Sequence, residues 1–450
     1  MLKNSKFLFP LLLLSTSIYA SPDQPQPPSK SIQTLLLAEI TAQGQKVNGV
    51  ALEYEDNILS GNDLRKTYQI YTAVDSQEKQ ARTILRAYVN DRPELTAHPH
   101  AGKFVVIELD EQDRNADLYT LKTENDKPMS FRAKDDSGKI VLVEKKQATK
   151  VPVYYGDRLT YYIEQTGFLK LTNGKTLEHT QIQQTAVKSR VKTPFLDQFV
   201  AKQVTGKNPD NQLAYQLYVP EMEANKKYPL TIFLHGSGQV GTDNLAHLLS
   251  SLGAIATLPY EQGFVLAPQY STVFDPFDDV NKGQKGGIHW QTDNRINLLL
   301  NMIDDTVKNN PTIDPNRIYC TGLSRGAEGC LNLLLKRPRF FAAALLASGR
   351  EAHTVEWIDG NASKENLAAI KDVPMWFFHS KEDKISPVQG SRINVQLLTE
   401  LGAKHTNYTE FTTEQVGDNG ILNNNPHNTW DAVFSSPEVI RWLLSQYKTP

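Results

Sequence analysis

The chain has 450 residues, of which 40% are hydrophobic and 22% are charged. These values are typical of a globular protein, and the length exceeds what one hydrophobic core usually serves, so we expect two domains. The 48 basic and 50 acidic residues give a net charge of −2. Because no basic block of the kind that binds a phosphate backbone stands out, nucleic acid is excluded as an expected partner.

The N-terminal residues have the pattern of an export signal. Lys3 and Lys6 precede an apolar run that ends at Leu14, and small residues then lead to Ala20. The run is too short to span a bilayer, so we expect no membrane span. We predict that residues 1–20 are a signal peptide, that the protein is exported to the periplasm or the extracellular space, and that the proline-rich residues 21–31 form a disordered linker.

Residues 32–191 are predicted to form a β-sandwich domain. Short segments enriched in β-branched and aromatic residues alternate with polar turns, and helical periodicity is almost absent. The clearest strand candidates are 35–40, 47–54, 67–74, 83–89, 104–109, 140–143 and 159–163. No chemical site is evident in this half of the chain.

The pattern changes in residues 192–450, where short apolar runs alternate with helical periodicity. The strand candidates are 213–219, 229–234, 265–267, 318–321, 342–347, 375–378 and 407–411, and the helix candidates are 244–256, 296–308, 327–336 and 391–401. Such alternation predicts right-handed crossovers and a doubly wound, mostly parallel sheet. Ligands of these folds bind beyond the carboxyl ends of the strands, so we expect the chemistry in the residues that follow each strand.

A glycine–serine turn lies between a predicted strand and a predicted helix of this second half. Gly322, Ser324 and Gly326 have the G-x-S-x-G spacing of a nucleophile elbow, which holds a strained serine above the edge of the sheet. The glycines are required because a Cβ would collide where the strand and the helix nearly touch.

The two cysteines of the chain, Cys320 and Cys330, flank this turn. Two buried free thiols are the favoured interpretation, and a disulfide is the alternative.

A serine nucleophile needs a base and an acid that orients the base, and in this architecture they follow the serine as acid and then histidine. Only His405 and His427 lie beyond every plausible acid position. His405 enters a strand-like segment, whereas His427 lies in a polar loop before the last helix, so we choose His427 as the base. Asp383 follows the strand candidate 375–378 and is the predicted acid, with Glu382 as the alternative.

The oxyanion of the tetrahedral intermediate needs N–H donors. We expect one from the backbone of Ser237, with Gly236 as the alternative, in the glycine-rich turn after a strand candidate. Arg325, immediately after the nucleophile, is expected to supply the second backbone N–H. His235 is interpreted as an organiser of this turn and not as a second base.

The stretch 270–290 follows a strand that ends on the expected catalytic face. It holds Phe274, Phe277, Trp290 and a glycine-rich patch, so it is a candidate wall of the substrate pocket with Trp290 as a candidate substrate contact. A mobile surface insertion is the equal alternative. The predicted chemistry requires no cofactor, and two cysteines argue against a structural zinc site.

Six segments of the second half carry a family resemblance: YQLYVP (215–220), YPLTIFLHGSG (228–238), GFVLAPQ (263–269), NRIYCTGLSRG (316–326), FFHSKED (377–383) and HNTWD (427–431). They resemble the polyhydroxybutyrate-depolymerase-like esterases, which are α/β-hydrolases often catalogued as predicted peptidases. Residues 50–54 and 103–110 are similar to the Ig-like N-terminal domain of some of these esterases. The resemblance implies an Ig-like sandwich followed by an α/β-hydrolase domain, with nucleophile, acid and base at Ser324, Asp383 and His427.

Three residues depart from the family pattern. Arg325 stands where methionine or glutamine is usual, Ala327 replaces a common glycine, and Pro426 precedes the base where glycine is typical. Only the backbone N–H of Arg325 is needed for the oxyanion, so we expect this change to affect specificity more than activity. The proline is expected to affect the position of the loop that carries the base.

The sequence therefore predicts a secreted serine hydrolase that cleaves a small-molecule or polymeric carboxylic ester through an acyl-enzyme intermediate. A serine peptidase with the same triad is the nearest alternative, because the same groups attack amides. A non-catalytic binding protein on a hydrolase scaffold is the alternative from another class.

Overall fold

The structure, a computed structural model, describes residues 32–59, 63–75, 77–124, 128–146, 149–412 and 425–448. The predicted signal peptide (1–20) and linker (21–31) lie outside these ranges. Among the residues that the structure describes, none of the helices combines the length and the apolar character that a membrane crossing requires.

The first half of the chain is a sandwich of short strands. Its strands are β1 (Gln33–Thr41), β2 (Gly44–Glu53), β3 (Tyr68–Val74), β4 (Gln80–Ala81), β5 (Ile84–Asn90), β6 (Phe104–Leu109), β7 (Asp117–Glu124), β8 (Pro128–Lys134), β9 (Ile140–Lys146), β10 (Thr149–Tyr154), β11 (Leu159–Gln165), β12 (Leu169–Lys170), β13 (Thr176–Leu177), β14 (Gln181–Thr185) and β15 (Val191–Lys192). One sheet follows the order β10-β7-β2-β1-β15, with β6 beside β2 and β5 beside β6, and the other follows β14-β11-β3-β4. Burial alternates along β11 because one of its faces packs into the core between the two sheets. The prediction of an all-β sandwich is confirmed.

The second half is built around one eight-stranded sheet. Its strands and helices are β16 (Phe199–Thr205), β17 (Gln212–Tyr218), β18 (Tyr228–Leu234), α1 (Ala246–Leu249), β19 (Phe264–Gln269), α2 (Asp293–Asn309), β20 (Ile313–Leu323), α3 (Arg325–Lys336), β21 (Ala343–Ala347), α4 (Lys364–Leu367), β22 (Met375–Ser380), α5 (Gln389–Glu400), β23 (Thr406–Phe411), α6 (Trp430–Ser435) and α7 (Pro437–Leu444). The strand order is β16-β17-β19-β18-β20-β21-β22-β23. All neighbours are parallel except those of β17, which is antiparallel to β16 and β19. This is the doubly wound sheet that the sequence predicted.

Both faces of this sheet are covered, as the continuous apolar runs indicated. Every residue of β18 and β21 is buried. Along β18, Ile232 and Leu234 pack into one core cluster, whereas Phe233, between them, packs into another on the opposite face. The carboxyl ends of β18, β20 and β22 therefore lie at one edge of a rigid layer.

The helix predicted over 244–256 is wrong in extent, because only the four residues of α1 are α-helical. The chain then turns closely over β18, and a Cβ built on Gly253 would lie 2.1 Å from the ring of Phe233. Leu248 and Leu249 are buried, as their apolar character indicated. Packing against the sheet, and not helical periodicity, determines the backbone of this stretch.

A hairpin of the first half lies on a loop of the second half. Strands β8 and β9 form this hairpin, and Ala133 of β8 makes an isolated parallel bridge with Trp357, in the loop between β21 and α4. The backbone N–H and the Nε of Arg132 donate to the two carboxylate oxygens of Glu356, at 2.5 Å and 2.6 Å. Because Glu356 is buried, this two-point contact fixes the hairpin against this loop of the second half.

Candidate active site

The turn between β20 and α3 has the geometry of a nucleophile elbow. Ser324 has φ 52° and ψ −121°, a positive-φ conformation that is unfavourable for a residue with a side chain. Its backbone N–H donates to the carbonyl of Ala347 at 2.8 Å. A Cβ on Gly326 would lie 1.8 Å from the carbonyl oxygen of Leu234, and one on Gly322 would lie 2.4 Å from the carbonyl of Gly326. The glycines thus permit the close approach of strand and helix that holds the side chain of Ser324 above the edge of the sheet.

The Gly326→Ala variant is expected to be strongly destabilised. Its methyl group would overlap a backbone carbonyl, which no side-chain rotation can relieve, so we expect a loss of roughly 3 kcal/mol or more in the free energy of unfolding. Gly241→Ala is the matched control, since the nearest neighbour of its added methyl group is a side-chain atom, the Nε2 of Gln269, at 3.2 Å and not a backbone atom in overlap. Urea denaturation of both variants measures the difference, and equal midpoints would contradict the steric argument.

Ser324, His427 and Asp383 form a hydrogen-bonded chain at the carboxyl edge of the sheet. The Nε2 of His427 lies 3.0 Å from the Oγ of Ser324, and its Nδ1 lies 2.7 Å from the Oδ2 of Asp383. The serine is 8% exposed and the other two residues are 7% exposed. Because the carboxylate accepts from Nδ1, that nitrogen carries the hydrogen, which leaves Nε2 free to accept a proton from the serine.

The carboxylate of Asp383 is held in its ionised form. Burial alone raises its pKa, but hydrogen bonds from His379 and His427 outweigh burial and hold the pKa well below its usual range. The backbone N–H groups of Ile385 and Ser386 donate to Oδ1 at 2.8 Å and 2.9 Å. Asp383 is therefore a fixed acceptor for the imidazole.

His379 is a residue of this site that the sequence analysis missed. It is fully buried at the end of β22, and its Nε2 lies 2.8 Å from the carbonyl oxygen of Ser386 and 3.1 Å from the Oδ2 of Asp383. The carbonyl can only accept, so Nε2 carries the hydrogen, and Nδ1 accepts from the hydroxyl of Ser391 at 2.8 Å. The available signal was a histidine four residues before the predicted acid, at the end of a strand.

Glu382, the alternative acid, contacts other groups. Its carboxylate accepts hydrogen bonds from the hydroxyls of Ser380 at 3.0 Å and of Thr412 at 2.9 Å. These contacts connect the turn after β22 to the end of β23. The geometry therefore favours Asp383 over Glu382 as the partner of His427.

The glycine-rich turn after β18 lies beside the nucleophile. A Cβ built on Gly236 would lie 3.3 Å from the Cβ of Ser324. The N–H of Gly236 donates to the side-chain oxygen of Gln239 at 3.2 Å. Within the described ranges, the backbone N–H groups of Ser237 and Arg325 have no acceptor. The two N–H groups expected at the oxyanion site are thus available, as is the N–H of Gly238 in the same turn.

Trp290 lies outside the cleft. It is fully buried, and its indole N–H donates to the carbonyl oxygen of His235 at 2.9 Å. The prediction that Trp290 contacts the substrate is therefore corrected: its indole supports the turn after β18.

His235 lies in this turn with a neutral side chain. Burial, followed by repulsion from His247, lowers the pKa of His235 to about 3, so the imidazole donates from Nδ1 to the carbonyl of Gly236 at 2.7 Å. His235 thus organises the turn.

Cys320 and Cys330 lie on β20 and α3, behind the elbow. Both are buried, and their Sγ atoms lie against each other. Burial raises the pKa of the Cys330 thiol well above its usual value, which disfavours the reactive thiolate.

The site opens into a cleft of about 610 Å³, a size suited to a small organic group. Ser237, Ser324 and His427 line it from the second half of the chain, and Leu121 and Lys145 line it from the first half. The serine, the imidazole and the glycine-rich turn therefore share one cleft, to which both halves contribute.

Comparisons with known proteins agree with this architecture. Residues 33–178 match the esterase Ig-like N-terminal domain, and residues 274–416 match the phospholipase/carboxylesterase family. Poly(3-hydroxyalkanoate) depolymerase C of Paucimonas lemoignei is 30% identical over 148 residues, which are 32% of this chain and 33% of that protein. The chain thus spans about a third of the length of the curated relative that it matches.

A solved structure extends the likeness to nearly the whole chain. The crystal structure of a thermostable esterase superposes with a TM-score of 0.69 at 25% sequence identity, over 92% of this chain and 99% of that one. The chain therefore has an α/β-hydrolase fold preceded by an Ig-like domain, matches esterase family models over two parts of its length, and resembles, over about a third of its length, a polyhydroxyalkanoate depolymerase.

Proposed function

We propose that the protein is a serine esterase that cleaves carboxylic esters with Ser324 as nucleophile, His427 as base and Asp383 as the acid that orients the base. The observation that carries the proposal is the continuous chain of contacts among these side chains, 3.0 Å from imidazole to hydroxyl and 2.7 Å from imidazole to carboxylate. The matches to esterase families support an ester substrate over a peptide.

The geometry supports a two-step reaction. The Nε2 of His427 takes the proton of the Ser324 hydroxyl as the oxygen attacks the ester carbonyl carbon. The N–H groups of Ser237 and Arg325 then stabilise the charge on the former carbonyl oxygen. The imidazolium, stabilised by Asp383, gives its proton to the departing alcohol, and a water molecule repeats the sequence on the acyl-enzyme to release the acid.

We also propose that the enzyme is exported and divided near residue 192. Export is supported by the charged, apolar and small residues of positions 1–20. The division is supported by strand pairing, since β15 (Val191–Lys192) pairs with β1 of the first sheet, whereas β16 (Phe199–Thr205) begins the second sheet.

A fluorophosphonate probe tests the proposed function directly, because it forms a stable adduct only with an activated serine. We expect one adduct per chain by intact mass, mapped to Ser324 by peptide analysis, and no adduct on the Ser324→Ala variant. The exposed Ser271 offers a matched control, and Ser271→Ala is expected to label like the wild type. An unlabelled wild-type protein would favour the binding-protein alternative instead.

A further inference from the structure

The hairpin β8–β9 brings a lysine of the first half to the proposed active site. Lys145 of β9 pairs with Met129 of β8, and β8 is fixed by the contact of Arg132 with Glu356. The Nζ of Lys145 lies 4.1 Å from the centre of the Trp357 ring. Lys145 and Trp357 both line the cleft that contains Ser324. The contact of Arg132 with Glu356 thus holds the hairpin that places the ammonium of Lys145 at the cleft.

The charged residues that line the cleft all have the same sign. The described residues of the cleft wall include Lys145 and Lys384 but neither aspartate nor glutamate. No carboxylate of the described chain forms an ion pair with either lysine, although many surface lysines do, such as Lys226 with Glu223 at 2.7 Å. The described part of the wall therefore carries two lysines with which no described carboxylate forms an ion pair.

Two arginines also contact the ring of Trp357, but each of them pairs with a carboxylate. The guanidinium carbons of Arg325 and Arg350 lie 4.8 Å and 4.9 Å from the centre of the Trp357 ring. Arg325 pairs with Glu328 at 2.9 Å, and the Nε of Arg350 lies 3.1 Å from the Oδ1 of Asp359. Three cations thus share one aromatic ring, and only the one at the cleft lacks a carboxylate partner within the described residues.

This arrangement favours a bound anion next to Lys145. Partial burial, followed by repulsion from Arg350 and Arg325, lowers the pKa of Lys145, and attraction from Asp359 offsets only part of this effect. A carboxylate at the ammonium would offset that repulsion, and the attraction would be modest and sensitive to salt because Lys145 is exposed.

We propose that the cleft selects esters that carry a carboxylate, and that Lys145 binds this anionic group. The inference rests on the proposed ester hydrolysis and names its substrate class. Lys145 acts in binding and not in the chemical step, so it determines the affinity for the substrate. The carboxylate belongs either to the acyl part or to the alcohol part of the ester, and both have the same recognition chemistry.

Matched pairs of esters test the proposal on the full-length protein. Monomethyl glutarate and methyl hexanoate differ in charge on the acyl side, and the butyrate esters of 4-hydroxybenzoate and 4-hydroxybenzamide differ on the alcohol side. We expect Lys145→Gln to raise KM for the anionic member of one pair by roughly fivefold, with kcat unchanged and the neutral esters unaffected. The pair that responds identifies the side that carries the charge.

Three controls make the result specific. Lys145→Arg is expected to keep the preference, and added salt is expected to weaken it in the wild type but not in Lys145→Gln. Lys139, an exposed residue in the turn of the same hairpin, is a matched control, and Lys139→Gln is expected to behave like the wild type. A preference that is lost in Lys384→Gln but kept in Lys145→Gln would overturn the proposal.

The outcomes also separate this inference from the proposed function. Turnover of the neutral esters with no response to charge would overturn the anion site and leave the esterase in place. If none of the four esters is turned over and the fluorophosphonate adduct is also missing, the proposed function fails and the inference fails with it.

Discussion

Ser324→Ala is expected to lower kcat for a neutral ester by about 10⁶-fold, because the variant has no oxygen to form the acyl-enzyme. Alanine has the same backbone preferences as serine at this strained position, so we expect the urea denaturation midpoint to change little. A single-turnover assay with a chromogenic ester measures the loss. Activity within tenfold of the wild type would place the nucleophile elsewhere in the chain.

Combining variants tests whether the three side chains act as one unit. Once the serine is absent, the imidazole has no proton to accept, so Ser324→Ala combined with His427→Ala should be no slower than Ser324→Ala alone. A further large loss in the double variant would show that His427 contributes to hydrolysis independently of the serine.

Asp383→Asn is expected to lower kcat by about 10⁴-fold while the fold stays intact. The amide would still occupy the position between His379 and His427, but it would favour the tautomer with the hydrogen on Nε2 and would not stabilise an imidazolium. Steady-state kinetics measure the loss, and near-ultraviolet circular dichroism checks the packing.

Glu382→Gln is the neighbouring control for this prediction. Its carboxylate accepts from Ser380 and Thr412, so the substitution is expected to leave kcat within about threefold of the wild type, as for most substitutions away from the chemistry. The reverse result, with Glu382→Gln inactive and Asp383→Asn active, would exchange the two roles.

The sequence was most informative where one physical requirement determines the residue. The parallel strands were predicted because a sheet covered on both faces needs continuous apolar runs, as in β18 and β21. Gly322 and Gly326 were interpreted correctly as steric requirements, since a Cβ at either position would overlap backbone atoms. The expected order of acid and histidine then reduced the candidate bases to His405 and His427, of which His427 was chosen, and Asp383 was preferred to Glu382 as the acid.

The sequence was less informative where a residue depends on a partner far along the chain. Strand β8 was missed because Arg132 and Lys134 give it the appearance of a solvated turn. Their partners lie more than 200 positions away, at Glu356 and the carbonyl of Asp359. Trp290 was assigned to the pocket from its position after a strand, but only the folded chain brings its indole against the turn after β18.

The buried carboxylate of Glu356 makes the two halves interdependent. Without the hairpin, this side chain would lose both donors from Arg132 and would remain as an uncompensated negative charge at the surface of the catalytic half. A truncated enzyme that lacks the sandwich would therefore be weakened at the residue whose backbone carbonyl accepts from Arg325, next to the nucleophile. If such enzymes exchanged their N-terminal modules, the exchange would preserve this contact only where the new module has the arginine and the recipient has the glutamate.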